Sequence, residues 1–116
     1  MRTLLALATA LLIAALTPAM AHHGWGSYDA RNPVTVEGKI VSVKYENPHV
    51  VVSVEAKNET WTLILAPTSR MMNRGAFKKM FEAGKSISAF GYPSKEHPNE
   101  LRAERITVER QTVEMR

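Results

Sequence analysis

The sequence predicts a mainly β domain: a small OB-like antiparallel barrel of five to six strands, with a helical segment between strands 3 and 4. From residue 34 onward, apolar and polar residues alternate in several short segments, as in half-buried strands. A helix-like segment over residues 70–82 separates the third of these from the fourth. This order is that of a small Greek-key barrel, whose closure protects its strand edges. An open β-sandwich with a helical lid is the alternative.

The first 21 residues have the pattern of a secretory signal peptide. Arg2 supplies a positive start, residues 4–16 carry no charge, and Ala19-Met20-Ala21 is a small-x-small cleavage pattern. The apolar run is shorter than the roughly 20 residues that span a bilayer. We therefore expect cleavage after Ala21 and a periplasmic mature protein without a stable membrane span. An uncleaved N-terminal anchor is the alternative.

The mature chain divides into an arm and a barrel domain. Residues 22–33 contain Gly, Ser, Asp, Asn and Pro without periodicity, which predicts an extended N-terminal arm. Residues 34–116 form the predicted barrel, with a β-bulge expected near Gly38-Lys39-Ile40. The predicted strands cover residues 34–45, 50–54, 60–65, 86–92 and 101–108, followed by a short terminal strand over 113–115.

The segment between the third and fourth strands has the start and stop signals of short helices. Thr68 or Ser69 is expected to cap the first helix with its side-chain oxygen. Gly75 interrupts the helical pattern and Gly84 is a suitable C-terminal stop. We predict one broken helix or two short ones.

Composition narrows the function classes. The chain contains no cysteine, which excludes disulfides, thiolate metal sites and a cysteine nucleophile. Its formal net charge is +4 with scattered basic residues, a mild bias that favours an anionic membrane face or an acidic partner rather than nucleic acid. No carboxylate pair, nucleophile elbow or phosphate-binding loop is recognisable, so we do not expect an enzyme.

The histidines are the candidate metal ligands. Cleavage after Ala21 would make His22 the N-terminal residue, and its α-amine and ring nitrogen would then chelate one metal together. His49, in the Asn-Pro-His sequence at a strand junction, is the predicted third ligand; His23 is held in reserve and His97 is a further alternative. Nitrogen-rich sites suit Cu(II), Ni(II) or Zn(II), and we predict copper.

Other roles for the same residues lead to a different function. The histidine pair would then be a solvated start, and His49 a turn histidine packed on Trp25 or Tyr28. Trp25 is expected to anchor the arm on the barrel, and Trp61 to lie in the core. In this interpretation the protein is a metal-free β-barrel interaction module that binds a protein or a small ligand in the cell envelope.

Several segments together resemble a family of small exported bacterial proteins of unknown function. They are "AHHGW", "GKIVSVKYENPHV", "WTLILAPTSRMMNRG", "GKSISAFGYP" and "LRAERITVE". The matching positions are His22, His23, Trp25, Asn47, Pro48, His49, Trp61, Arg70, Gly91 and Pro93. The resemblance implies an exported β-barrel-like domain and supplies no reaction. The expectation is thus an exported, non-enzymatic binding or accessory protein, with a metal ion or an envelope protein as its partner.

Overall fold

The computed structural model describes residues 24–116. The predicted signal peptide and the residues His22 and His23 lie outside this range. The strands are β1 (Val34–Lys44), β2 (Val51–Ala56), β3 (Glu59–Ile64), β4 (Ser86–Pro93), β5 (Glu100–Val108) and β6 (Gln111–Glu114). Helix α1 (Thr68–Asn73) and the 3-10 turns Trp25–Ser27 and Lys78–Phe81 complete the regular structure of this range.

The strands form a closed barrel with one strand appended. Their order is β3-β2-β1-β4-β5-β6, and a further pairing of β3 with β5 joins the two sides of the sheet. This pairing is parallel, from Thr62 opposite Glu100 to Ile64 opposite Arg102, whereas the consecutive pairs are antiparallel. The predicted OB-like architecture is confirmed, with a mixed five-stranded barrel and β6 outside the closure.

Alternation along each strand fills the barrel interior. On β2, Val52 and Val54 are fully buried, whereas the residues next to them are half-buried or exposed. Val52 pairs with Leu63 on β3, and Leu63 pairs with Leu101 on β5. These side chains are completely buried, so this cross-strand row lies inside the barrel. Trp61, predicted to be core, is half-buried and packs against the core.

Glycines allow the barrel strands to approach closely at two places. A Cβ on Gly38 would collide with the backbone carbonyl of Glu55, and a Cβ on Gly91 with that of Arg102. The β1–β2 register shifts between Ile40 and Ser42, adjoining the segment in which a bulge was predicted.

The helical segment consists of two short pieces, helix α1 and a 3-10 turn, which agrees with the prediction of a broken helix or two short ones. Gly75, with φ of +78°, follows α1, and the 3-10 turn comes later. The predicted cap is wrong: Pro67 occupies the N-cap position, so Thr68 already lies in the first turn. Asn47 takes the capping role, since its Oδ1 accepts hydrogen bonds from the Thr68 backbone N–H (3.1 Å) and hydroxyl (3.0 Å). Over residues 24–116, no helix combines the length and apolar character that crossing a membrane requires.

Candidate functional site: a groove on the outer face of the barrel

The site lies on a row of residues that crosses four strands on the outside of the barrel. Lys44 pairs with Val51, Val51 with Ile64, and Ile64 with Arg102. This row is one residue out of phase with the buried row through Leu63, and side chains alternate between the two faces of a sheet. The row therefore points away from the core.

A cavity of about 390 Å³ lies over this row, and we call it the outer-face groove. The arm contributes Tyr28, the β1–β2 loop contributes His49, and the β4–β5 loop contributes His97. Val51 and Ile64 provide an apolar floor, while charged and polar groups surround it. In OB barrels the strand 2–3 face and the loops β1–β2 and β4–β5 are the usual ligand-binding region.

The two loops that carry the groove histidines are fixed by hydrogen bonds. In the first loop, the side chain of Asn47 is hydrogen-bonded to Thr68 at the start of α1. This contact keeps the next two residues, Pro48 and the half-buried His49, beside the groove. In the second loop, the Ser94 hydroxyl accepts hydrogen bonds from the backbone N–H groups of Glu96 (3.2 Å) and His97 (3.0 Å). His97 itself is exposed. Both histidines thus stand on loops whose backbone is held in place.

Tyr28 joins the arm to the groove. Its side chain is 4 % exposed, and its hydroxyl donates a hydrogen bond of 2.9 Å to Glu100 Oε2. Burial, and then the hydrogen bond to the Glu100 carboxylate, raise the pKa of Tyr28 to about 12. The phenol is therefore a neutral hydrogen-bond donor across the physiological range of pH.

Arg102 is a buried cation at the same end of the groove. Its side chain is 8 % exposed, and its guanidinium carbon lies 4.6 Å from the centre of the Trp25 ring. Burial lowers the pKa of Arg102, and the positive charges of Arg70 and Arg116 lower it further, while Tyr28 acts in the opposite direction. Burial is thus the main cause of the lowered pKa of this guanidinium.

Trp25 anchors the arm, as predicted. Its ring is contacted by the guanidinium groups of Arg102 (4.6 Å) and Arg116 (4.4 Å), and it meets the ring of Tyr92 edge-on at 5.9 Å. Backbone hydrogen bonds from Asp29 to Pro93 (2.8 Å) and from Lys95 to Ser27 (3.0 Å) tie the arm to the end of β4. The arm therefore runs along the rim of the groove.

The structure brings together only part of the predicted metal site. His49 and His97 line one groove, although they are 48 positions apart along the chain. His22 and His23 lie outside the described range, so their part in a site stays a prediction. Within residues 24–116, no three His, Asp or Glu side chains are grouped to hold a metal ion.

The groove contains functional candidates that sequence reasoning missed. Arg102 lies in a strand segment with Glu104 and Arg105, residue types that form ion pairs across neighbouring strands. Arg105 pairs with Glu114, and Arg116 pairs with Glu104 at 2.9 Å, but Arg102 is in neither pair. A basic residue between the apolar Leu101 and Ala103 has the alternation of an outward-facing strand position, so the local sequence carries no signal of its burial.

Solved structures share the fold. The Stn1–Ten1 complex of S. pombe matches with a TM-score of 0.55 and 14% identity over 68% of this chain and 59% of that one. The complex of TiaS with a tRNA and ATP matches with a TM-score of 0.51 and 16% identity over 73% of this chain and 19% of that one. This chain thus spans less than two thirds of either matched chain, and at such identities the likeness concerns the fold alone.

Comparison of the amino-acid sequence with known proteins and family models identifies the family of this chain. Among curated proteins no match is found. A sequence model of one family covers residues 9–101, which include the arm, both groove histidines and the first residues of β5. The chain belongs to this family, the family of unknown function DUF6152.

Proposed function

We propose that the protein is an exported, non-enzymatic binding module of the periplasm that holds copper at the outer-face groove. The proposed ligands are the α-amine and ring of His22 together with the ring of His49, with His23 in reserve. One observation carries the proposal: His49 lines the same groove as Tyr28, which follows His22 by six residues.

Chain length supports this arrangement. Trp25 is fixed against Arg102, which lines the groove. Trp25 is three positions from His22, and an extended chain covers about 3.3–3.6 Å per residue, or about 10 Å in all. A mature N-terminus at His22 therefore has the reach to place its nitrogens at the groove.

The chemistry of the available donors favours copper. An N-terminal amine and imidazole rings form an all-nitrogen set, and among the divalent first-row metals such sets bind Cu(II) most tightly. The described residues do not supply three grouped ligands by themselves. The proposed site consequently depends on the free amine that signal-peptide cleavage would create.

Copper titration of untagged protein purified from the periplasm tests the proposal. N-terminal mass spectrometry is expected to find His22 first, and calorimetry to find one Cu(II) per chain. Replacement His22→Ala, or three additional alanines before His22, is expected to abolish tight binding, and His49→Ala to weaken it. Exposed Lys57, far from the groove in the β2–β3 turn, provides the control variant Lys57→Ala. Unchanged affinity after the N-terminal extension would rule out the proposed site.

A metal-free interaction module is the second candidate. It is favoured by the apolar floor of the groove and by the buried cation at its end, both of which suit an organic ligand. Metal analysis of the same periplasmic protein separates the two functions. Copper present in stoichiometric amount supports the first, and its absence, together with failure to take up added Cu(II), supports the second.

A further inference from the structure

Arg102 is the buried charge that the copper proposal does not use. In the described part of the chain it is the one charged side chain in the buried class. It belongs to the outward row of β5 and owes its burial to the arm, whose Trp25 and Tyr28 cover it. Burial of a cation is costly unless an anion compensates its charge.

The described residues do not provide that anion in direct contact. Their ion pairs are Lys44–Glu46, Glu82–Lys85, Glu114–Arg105 and Glu104–Arg116, and none of them includes Arg102. The hydroxyl of Tyr28 lies beside the guanidinium, but it gives its proton to Glu100. The Glu100 carboxylate thus reaches Arg102 only through this hydroxyl, and the guanidinium has no carboxylate of the described residues paired directly with it.

The rest of the groove restricts the kind of anion. Val51 and Ile64 offer an apolar surface next to Arg102, and the volume of about 390 Å³ suits a small organic molecule. The planar guanidinium matches the geometry of a carboxylate. We propose that the outer-face groove binds a small organic carboxylate, with the carboxylate on Arg102 and the apolar part on Val51 and Ile64. This site goes beyond the copper proposal and needs no metal.

An NMR titration of the periplasmic protein, stripped of metal on a chelating resin, tests the proposal. The probes are hexanoate, hexanol as its uncharged analogue, and inorganic phosphate. Hexanoate is expected to bind saturably, to shift the indole N–H signal of Trp25 and to bind more tightly than either of the other two. Equal binding of hexanol would show that the charge plays no part, and tighter binding of phosphate would contradict the apolar contact. Absence of saturable hexanoate binding would overturn the proposal altogether.

Arginine variants identify the residue responsible. Arg102→Gln is expected to weaken hexanoate binding at least about tenfold, the usual effect of losing a charge-assisted hydrogen bond. Arg105→Gln is the matched control, since Arg105 lies on the same strand but is exposed and paired with Glu114. An equal loss in both variants, or no loss in Arg102→Gln, would contradict the assignment. Should Arg102→Gln fail to fold, the comparison of hexanoate with hexanol on the unaltered protein still decides the proposal. Because no metal is present, failure here leaves the copper proposal unaffected, and the reverse also holds.

Discussion

At the scale of single residues, Tyr28 is expected to make the free energy of unfolding decrease as the pH rises above about 10. Its pKa is about 12 in the native protein against 10.0 for a free phenol. Between these values the unfolded chain has released the proton while the native chain retains it, so the free energy of unfolding falls as pH rises. The stabilisation is complete below pH 10 and is lost as pH approaches 12.

Replacement Tyr28→Phe removes this dependence. From neutral pH to about pH 11, the free energy of unfolding should fall by about 1.4 kcal/mol less in Tyr28→Phe than in the unaltered protein. Urea unfolding at the two pH values measures both decreases. Equal decreases would show that the phenol is not held neutral by its native surroundings.

Gly91 allows β4 to lie close to the backbone of β5 at Arg102. A Cβ at this position would meet the backbone carbonyl of Arg102 on β5. Gly91→Ala is therefore expected to cost about 1–3 kcal/mol of stability, since strand backbone must shift. Gly26→Ala is the control, because open space surrounds a Cβ there, and it should change stability by less than about 0.5 kcal/mol. Chemical denaturation of the two variants tests this difference, and similar stabilities would refute it.

At the scale of elements, the β1–β2 loop and α1 stabilise one another. Asn47 caps the helix from 21 positions away along the chain. Asn47→Ala should lower the free energy of unfolding by about 1 kcal/mol, the usual value for a lost cap. Ser69→Ala, at a position that local sequence alone also allows as a cap, should have little effect. Thermal unfolding of both variants tests the assignment, and a larger loss in Ser69→Ala would reverse it.

The predictable elements are those whose signals are local. Alternation located the strands to within a few residues, because one face of each strand must be buried. Gly75 located the break in the helical segment, because its positive φ interrupts a helix. The cap from Asn47 was not predictable, since it depends on two segments meeting in space. The burial of Arg102 was missed for the same reason: the covering arm lies more than 70 residues away along the chain.

The residues of the candidate site could also be predicted only where their signals are local. His49 was identified by residue type and by its place at a strand junction. That His97 shares its groove follows only from barrel closure, which brings the β1–β2 and β4–β5 loops to one end. A list of chemically capable residues is thus available from the sequence, whereas their grouping depends on the parallel β3–β5 pairing.

At the scale of the whole molecule, the arm and the barrel should unfold together. The arm buries Tyr28, places Trp25 between two arginines and forms hydrogen bonds with the end of β4. Because these contacts rest on the barrel wall, we expect them to be lost in the same cooperative transition as the barrel. An arm of this kind is a covering layer of the domain rather than a flexible linker.

Two tryptophans report on the two parts. Trp61 lies on β3 and Trp25 on the arm, so Trp25→Phe leaves a barrel reporter and Trp61→Phe leaves an arm reporter. Within each variant, the fluorescence midpoint in urea should coincide with the midpoint of strand circular dichroism, as two-state unfolding requires. If Trp25 fluorescence in Trp61→Phe changed at a lower urea concentration than the circular dichroism of the strands, the arm would unfold before the barrel and the prediction would be wrong. Joint unfolding matters for function, because Arg102 stays buried at the groove only while the arm remains in place.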